Sequence, residues 1–164
     1  MGGIRFDSAQ FNWLGNPIID NLVTLSWSAS GLATLEDVKT KGGLFCGSTG
    51  GGPTTVFPRV INQLLGTQIK VVTGYPGAAD FLLAVERQEA DGTAGVSWSG
   101  ILATRPEWIT KKQINVIVQL GLKRHPDMDP APLVTDFAKN DSDRGVLELI
   151  FARQKLVLLA ELRG

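Results

Sequence analysis

The chain has 164 residues, one cysteine and a formal net charge of zero. This length corresponds to one ordinary domain, and the balanced charge argues against a general nucleic-acid binder, which would present a basic face. A single cysteine excludes an internal disulfide and any metal site built from several cysteines. No apolar run reaches the roughly 18 residues of a membrane span, and the N-terminus lacks the apolar core of a secretory signal.

Five segments are typical of strands because they are β-branched and aromatic, short and apolar, or alternating in polarity. They cover residues 22–28, 44–47, 68–73, 92–98 and 113–120. Apolar residues at helical spacing predict helices at 34–40, 53–65, 78–87, 101–112 (with a bend at Pro106), 132–139 and 142–162. Strands that alternate with helices predict an α/β fold with a doubly wound, mostly parallel five-stranded sheet and helices on both faces.

Two glycine-rich turns follow predicted strands and open predicted helices. The first is CGSTGGGPTT at 46–55, and the second is GYPG at 74–77. In an open α/β sheet, ligands bind at the carboxyl ends of strands, and a helix N-terminus offers unpaired N–H groups to an anion. The two turns therefore predict a site that grips one carboxylate from two sides. The alternative is that the glycines only allow tight strand-to-helix turns.

Motifs for catalysis are weak. The turns lack the lysine of a GxxxxGK[ST] phosphate loop, and the segment around Ser97, GVSWSG, lacks the second glycine of a GxSxG nucleophile elbow. His125 is the one histidine, so an enzyme acting on an anionic substrate is a minor alternative, and we expect no cofactor and no metal. Cys46 is expected to be a small buried residue, and Trp27 and Trp98 to line a cleft or pack in the core.

Longer segments carry a resemblance that runs through most of the chain. They are FNWLGN at 11–16, TGGGPT at 49–54, and the stretches 57–92, 95–108 and 133–154. In this order they resemble the solute-binding receptors of the tripartite tricarboxylate transporter family, also called Bug-type receptors. The part VVTGYPG with the helix after it is quite specific, and the ordered series is more so.

The resemblance implies one lobe of a two-lobed, Venus-flytrap receptor that binds di- or tricarboxylates and presents them to membrane permease subunits without chemistry. The lobe would span residues 21–154, with an N-terminal extension or hinge remnant at 1–20 and a divergent helical tail at 155–164. Carried over by position, the ligand-binding candidates come from the two turns. They are Ser48, Thr49, Gly50, Gly51, Gly52, Thr54, Thr55, Tyr75, Pro76, Gly77 and Ala78.

The resemblance also carries expectations about place and partners. Family receptors are periplasmic, whereas this reading frame without an export signal would stay in the cytoplasm. A lone lobe would lack half of the ligand contacts. The alternative is therefore a truncated structural remnant, or a homodimer formed through the surface left by the missing lobe.

Overall fold

Five strands form one sheet in the computed structural model, which describes residues 20–128 and 130–151. The strands are β1 (Leu22–Trp27), β2 (Gly43–Ser48), β3 (Ile69–Tyr75), β4 (Gly92–Ser97) and β5 (Ile114–Leu120). Their order in the sheet is β3-β2-β4-β1-β5. β2 pairs in parallel with β3 and β4, and β1 pairs antiparallel with β4 and β5. Every strand except β1 therefore runs in the same direction, which confirms the mostly parallel sheet.

The antiparallel direction of β1 is the main difference from a sheet built only of βαβ units. Its register joins Leu22 to Ser97 on one side and to Leu120 on the other. The apolar pattern of β1 predicts a buried strand but does not encode its direction, because an inward-facing residue is buried in either orientation.

Six α-helices connect or follow the strands in the described part of the chain. They are α1 (Leu35–Lys41), α2 (Pro53–Leu65), α3 (Ala78–Glu86), α4 (Trp98–Thr104), α5 (Pro106–Thr110) and α6 (Asp141–Ile150). The bend predicted at Pro106 is the break between α4 and α5. β3 continues through Gly74 and Tyr75, so the second predicted turn is shorter than GYPG.

The helix predicted at 132–139 is wrong. Only a 3-10 turn forms there, from Val134 to Phe137, because the backbone just before it is hydrogen-bonded to β5 of the sheet. Gln119 of β5 donates its N–H to the carbonyl of Pro132, and Gln119 pairs with Leu133 in a parallel bridge. The predicted last helix is present as α6, while its residues 152–162 and the tail 155–164 lie outside the described residues. The predicted extension 1–20, apart from Asp20, lies outside them too.

Helices cover both faces of the sheet, as predicted. On one face α1, α2 and α6 bury residues such as Val38, Ile61 and Leu147. On the other face α3, α4 and α5 bury residues such as Phe81 and Trp108. Trp27 and Trp98 belong to this second core, so they pack inside the fold and do not line a cleft.

Close backbone contacts hold the start of α2 against the sheet. A Cβ added at Gly47 of β2 would lie 2.7 Å from the carbonyl oxygen of Thr54. At Gly95 of β4, where φ is +74°, it would lie 2.8 Å from the carbonyl oxygen of Pro53. Only glycine allows both this approach and the left-handed backbone at position 95. These two strand glycines therefore fix where α2 begins relative to the sheet edge.

Candidate functional site

Three strand-to-helix turns lie side by side at one edge of the sheet. They follow β3, β2 and β4, which are adjacent in that order, and they lead into α3, α2 and α4. The N–H of Thr49 after β2 donates to the carbonyl of Tyr75 at the end of β3, at 3.2 Å. The structure therefore brings the two glycine-rich turns together. We refer to residues 48–55 as the α2 turn and residues 75–78 as the α3 turn.

Side-chain hydroxyls hold the α2 turn in shape. The Thr55 Oγ1 hydroxyl lies 2.8 Å from the carbonyl oxygen of Gly50 and 2.9 Å from that of Gly52, to which it donates. Thr54 Oγ1 accepts from the N–H of Ser48 at 3.0 Å and lies 3.1 Å from the Ser48 hydroxyl. Thr54 and Thr55 are buried. Their hydroxyls are thus committed to the turn itself, and position its backbone.

Three consecutive backbone N–H groups of the α2 turn, at residues 50–52, lack an acceptor among the described residues. Gly52 is the N-cap of α2 and receives no side-chain cap, and the first turn of α2 has no acidic residue. The N–H groups of Gly50, Gly51 and Gly52 donate to no acceptor among the described residues. Gly50 needs glycine because its φ is +85°. At Gly51 a Cβ would meet nothing within 4 Å, so packing does not demand glycine there.

The α3 turn is built differently, because it carries an acid of its own. Gly77 is the N-cap of α3, and its carbonyl accepts from the N–H groups of Asp80 and Phe81 at 3.2 and 3.3 Å. The carboxylate of Asp80 turns back toward Gly77, so that a Cβ at Gly77 would lie 3.8 Å from Asp80 Oδ2. Burial raises the pKa of Tyr75, and electrostatic interactions with Cys46 and Glu89 add to the effect. The Tyr75 phenol is therefore neutral at pH 7.

The third turn, after β4, already holds a carboxylate. Ser97 caps α4 by accepting from the N–H of Gly100 at 2.9 Å. Its hydroxyl donates to Asp20 Oδ2 at 2.5 Å, and the N–H of Ser99 donates to Asp20 Oδ1 at 3.1 Å. Ser97 is thus a helix cap, and its hydroxyl is occupied by Asp20. None of the three turns contains a lysine, arginine or histidine.

Sequence reasoning missed both acids at this edge. The signal for Asp80 was readable, since an acidic residue three positions after a glycine N-cap lies in the first turn of the helix. Asp20 lies 77 residues from Ser97 in the chain, and no local pattern joins the two.

The other single-residue candidates have structural roles. Cys46 is fully buried, and burial raises the pKa of its thiol to about 12. Its sulfur lies 3.2 Å from the carbonyl oxygen of Phe81, so it is the small buried residue predicted. The imidazole of His125 accepts from the N–H of Asp127 at 3.3 Å in an exposed loop.

A groove of about 540 Å³ lies away from the three turns. It runs between the start of α1 and β5, and its lining includes Leu35, Lys39, Val116, Met128 and Phe137. No residue of the α2 or α3 turn contributes to it. Among the described residues, no group of three or more histidine, cysteine, aspartate or glutamate side chains is arranged to hold a metal ion. In the same part of the chain, no helix is both long and apolar enough to cross a membrane.

Comparison with solved structures identifies the fold. The chain is similar to a TctC solute-binding protein from Polaromonas, solved with no ligand, with a TM-score of 0.60 and 13% identity. That match covers 85% of this chain and 52% of the other. It is also similar to R. palustris Rpa4515 with adipate, with a TM-score of 0.57 and 15% identity over 81% of this chain and 50% of the other.

Both matches span about half of the solved protein, so the chain has the α/β fold of part of a solute-binding protein. No protein-family model matches the sequence, and no curated protein matches it.

Proposed function

We propose that the chain binds a small organic acid, a di- or tricarboxylate, without catalysis, as the carboxylate-gripping lobe of a solute receptor for a tripartite tricarboxylate transporter. The observation that carries the proposal is the α2 turn, where the N–H groups of Gly50, Gly51 and Gly52 donate to no acceptor in residues 20–128 and 130–151, and where the helix start has no side-chain cap and no acidic residue. The fold adds support, because one structure of similar fold contains adipate.

The geometry suits one carboxylate. Its oxygens accept hydrogen bonds from the N–H groups of Gly50, Gly51 and Gly52, and its charge lies at the positive end of the α2 dipole. The neighbouring residues of the proposed site are Ser48, Thr49, Thr54, Thr55, Tyr75, Pro76, Gly77 and Ala78. We assign Thr54 and Thr55 to shaping the turn, and the proposal includes no chemical step.

The expected affinity of this chain is weak. One charge at a helix N-terminus contributes about 0.3–1 kcal/mol when exposed, whereas micromolar binding needs about 8 kcal/mol. The turns therefore orient an acid, and tight binding would need contacts from a second lobe. By the resemblance, the complete receptor works in the periplasm and delivers its ligand to permease subunits.

A second candidate is a structural remnant that forms a homodimer. The observation that favours it is the outer face of α6, where Val146 is 44% exposed and Leu149 is 78% exposed. Apolar side chains left in water at a helix face stabilise association when a second copy covers them. Light scattering separates the two states by mass, and a monomer at all concentrations would rule the homodimer out.

The proposed function is tested by thermal unfolding with succinate, glutarate, adipate, citrate and phosphate, against chloride at matched ionic strength. If an acid binds with a dissociation constant of about 1 mM, about 10 mM of it stabilises the fold by about 1.4 kcal/mol, and the midpoint rises by a few degrees. We expect this rise with carboxylates.

Two variants locate the site. Gly51→Leu places a side chain into open space, and Gly77→Leu places one whose Cβ lies in ordinary contact with Asp80 Oδ2 at 3.8 Å, so we expect the fold to persist and the carboxylate response to disappear. Gly145→Leu is the matched control, because Gly145 on α6 also has open space around it. An unchanged carboxylate response in both turn variants would refute the assignment.

A further inference from the structure

We propose that the free edge of β3 is an interaction surface whose partner is a second copy of this chain, paired antiparallel about a twofold axis at Val72. The pairing joins the five-stranded sheets of the two copies into one continuous sheet. This inference is independent of the proposed function, and the surface is a different one from the outer face of α6.

The edge of β3 is closed at its start and open after it. β3 is an edge strand, with β2 as its one neighbour in the described sheet. Asn62 Nδ2 donates to the carbonyl of Ile69 at 2.8 Å, and Asn62 Oδ1 accepts from the N–H of Ile69 at 2.9 Å. The backbone groups of Ile69 therefore point away from β2. Since this direction alternates along a strand, the N–H and C=O groups of Val71 and Thr73 also point outward. They have no hydrogen-bond partner among the described residues.

These open groups are self-complementary in one register. A twofold axis at Val72 sets Val71 of each copy opposite Thr73 of the other. Both residues point their backbone groups outward, so each facing pair exchanges the two N–H···O=C bonds of a hydrogen-bonded pair. Val72 then faces Val72 of the second copy as a non-hydrogen-bonded pair, with a Cα separation of about 4.5 Å. An isologous contact of this kind closes on itself, so it produces a dimer and not a fibre.

The side chain at the axis suits the pairing. Val72 lies beside Cys46 of β2 in the sheet register, so it is on the face that α3 covers. It is nevertheless 40% exposed, because α3 leaves this edge open. In the dimer the two valines cover each other, and directly opposed β-branched side chains stabilise strand pairing.

The charges are compatible with the same register. Lys70 is the one charged residue of β3, and it falls opposite Gly74 of the second copy. The two lysines are therefore about 14 Å apart along the paired strands. After Gly74 the second copy continues into α3, whose first turn carries the acidic Asp80. Each end of the paired strands thus brings a lysine of one copy to the side where the other copy has an acid.

A cysteine cross-link tests the register. In Val72→Cys the two thiols meet at the twofold axis, where a Cα separation of about 4.5 Å allows a disulfide. Lys70→Cys is the matched control, because this position is also exposed on β3 but its two Cα atoms would be about 14 Å apart. With oxidised glutathione we expect Val72→Cys to form covalent dimers at least about tenfold faster than Lys70→Cys. The wild-type chain should form none, because Cys46 is fully buried.

The hydrogen bonds are tested in the reduced chain by sedimentation equilibrium over a range of concentrations. Thr73→Pro removes an outward N–H that the monomer does not use, and an edge strand tolerates proline at such a position. We expect the dimer dissociation constant to rise at least about tenfold, since the twofold axis removes the bond twice. Thr73→Ala keeps the N–H and should change the constant less than about twofold. Leu149→Gln, on the outer face of α6, should leave it unchanged.

The outcomes are distinct. Equal cross-linking of Val72→Cys and Lys70→Cys, or none in either, would overturn the register. Loss of the dimer in Leu149→Gln but not in Thr73→Pro would place the contact on α6 and overturn the proposal. A wild-type chain that stays monomeric at all concentrations would also overturn it, and leave the β3 edge to a strand of another protein. None of these results alters the carboxylate response that tests the proposed function.

Discussion

Helices α1 and α2 begin in opposite ways, although both follow short turns. At α1 the Thr34 hydroxyl accepts from the N–H of Asp37 at 3.2 Å, and Asp37 Oδ2 accepts from the N–H groups of Thr34 and Ala33 at 3.0 and 3.2 Å. At α2 the cap is Gly52, which has no side chain to offer. A helix that needs only stability satisfies its first N–H groups itself. At the start of α2 the N–H groups of Thr55 and Val56 donate to the carbonyl of Gly52, while those of Gly50, Gly51 and Gly52 donate to no acceptor among the described residues.

The largest effect should come from a change at Gly95, which packs against the start of α2. Gly95→Val would place a branched side chain against the carbonyl of Pro53 and the ring of Phe57, and force a left-handed φ on valine. We expect a loss of about 3 kcal/mol or more in the free energy of unfolding. Urea denaturation measures it, with Gly145→Ala as the control. That control should gain about 0.5–1 kcal/mol, because the exposed interior of α6 prefers alanine. A loss below about 1 kcal/mol for Gly95→Val would contradict the packing role.

The most informative change makes α2 begin as α1 does. Gly52 has φ −74° and ψ 172°, a conformation that suits aspartate at an N-cap. Gly52→Asp should raise the free energy of unfolding by about 0.5–1 kcal/mol and weaken the binding of adipate at least tenfold. The new carboxylate accepts from the N–H groups of Thr54 or Thr55 and places a negative charge beside the glycine N–H groups that the ligand needs.

The control for this exchange is Gly52→Ala, which adds a Cβ without a capping group. Its Cβ would lie 3.4 Å from the Ser48 hydroxyl, so we expect binding within about twofold of wild type. If Gly52→Asp stabilises the fold and still binds adipate like wild type, the acid does not use the start of α2.

The smallest effect should come from a change in the capping box at the start of α1. The ammonium of Lys41, followed by the hydroxyl and N–H of Thr34, holds the pKa of Asp37 well below its ordinary value of 3.8. A carboxyl whose pKa is lowered by folding stabilises the protein above its unfolded pKa, and this contribution disappears as the pH falls through the folded pKa. Asp37→Asn should therefore lower the urea midpoint slightly at pH 7. The gap from wild type should narrow steadily as the pH is lowered from about 4 to about 2. A gap independent of pH over that range would contradict this account of the capping box.

Local patterns predicted most of the fold because the deciding interactions are local. The capping residues of α1, the proline at the start of α2 and the left-handed Gly66 after it are visible in the sequence and present in the structure. The direction of β1 and the bridge between Leu133 and β5 depend on which segments pair in the sheet. Such pairings join distant parts of the chain. Those two features could not be read from periodicity.

The same distinction between local and long-range interactions applies to the candidate site. Its glycines and its location at the ends of strands were predictable, because each turn lies within ten residues of one helix start. The separate roles of the residues inside the site were not predictable. From the sequence, Thr55 is a candidate ligand donor, but its hydroxyl donates to the carbonyl oxygens of Gly50 and Gly52. The carboxylate of Asp20 on the third turn comes from a residue 77 positions away.

The most direct test of the central claim is a titration of the 15N-labelled chain with adipate, followed by the backbone amide signals. We expect the amides of Gly50, Gly51 and Gly52 to move in a saturable way, while those of Thr34 and Asp37 in the capped start of α1 stay in place. Equal additions of chloride should move none of them. If adipate leaves the three glycine amides unchanged, or shifts only residues lining the groove at Leu35 and Val116, the start of α2 is not a carboxylate site.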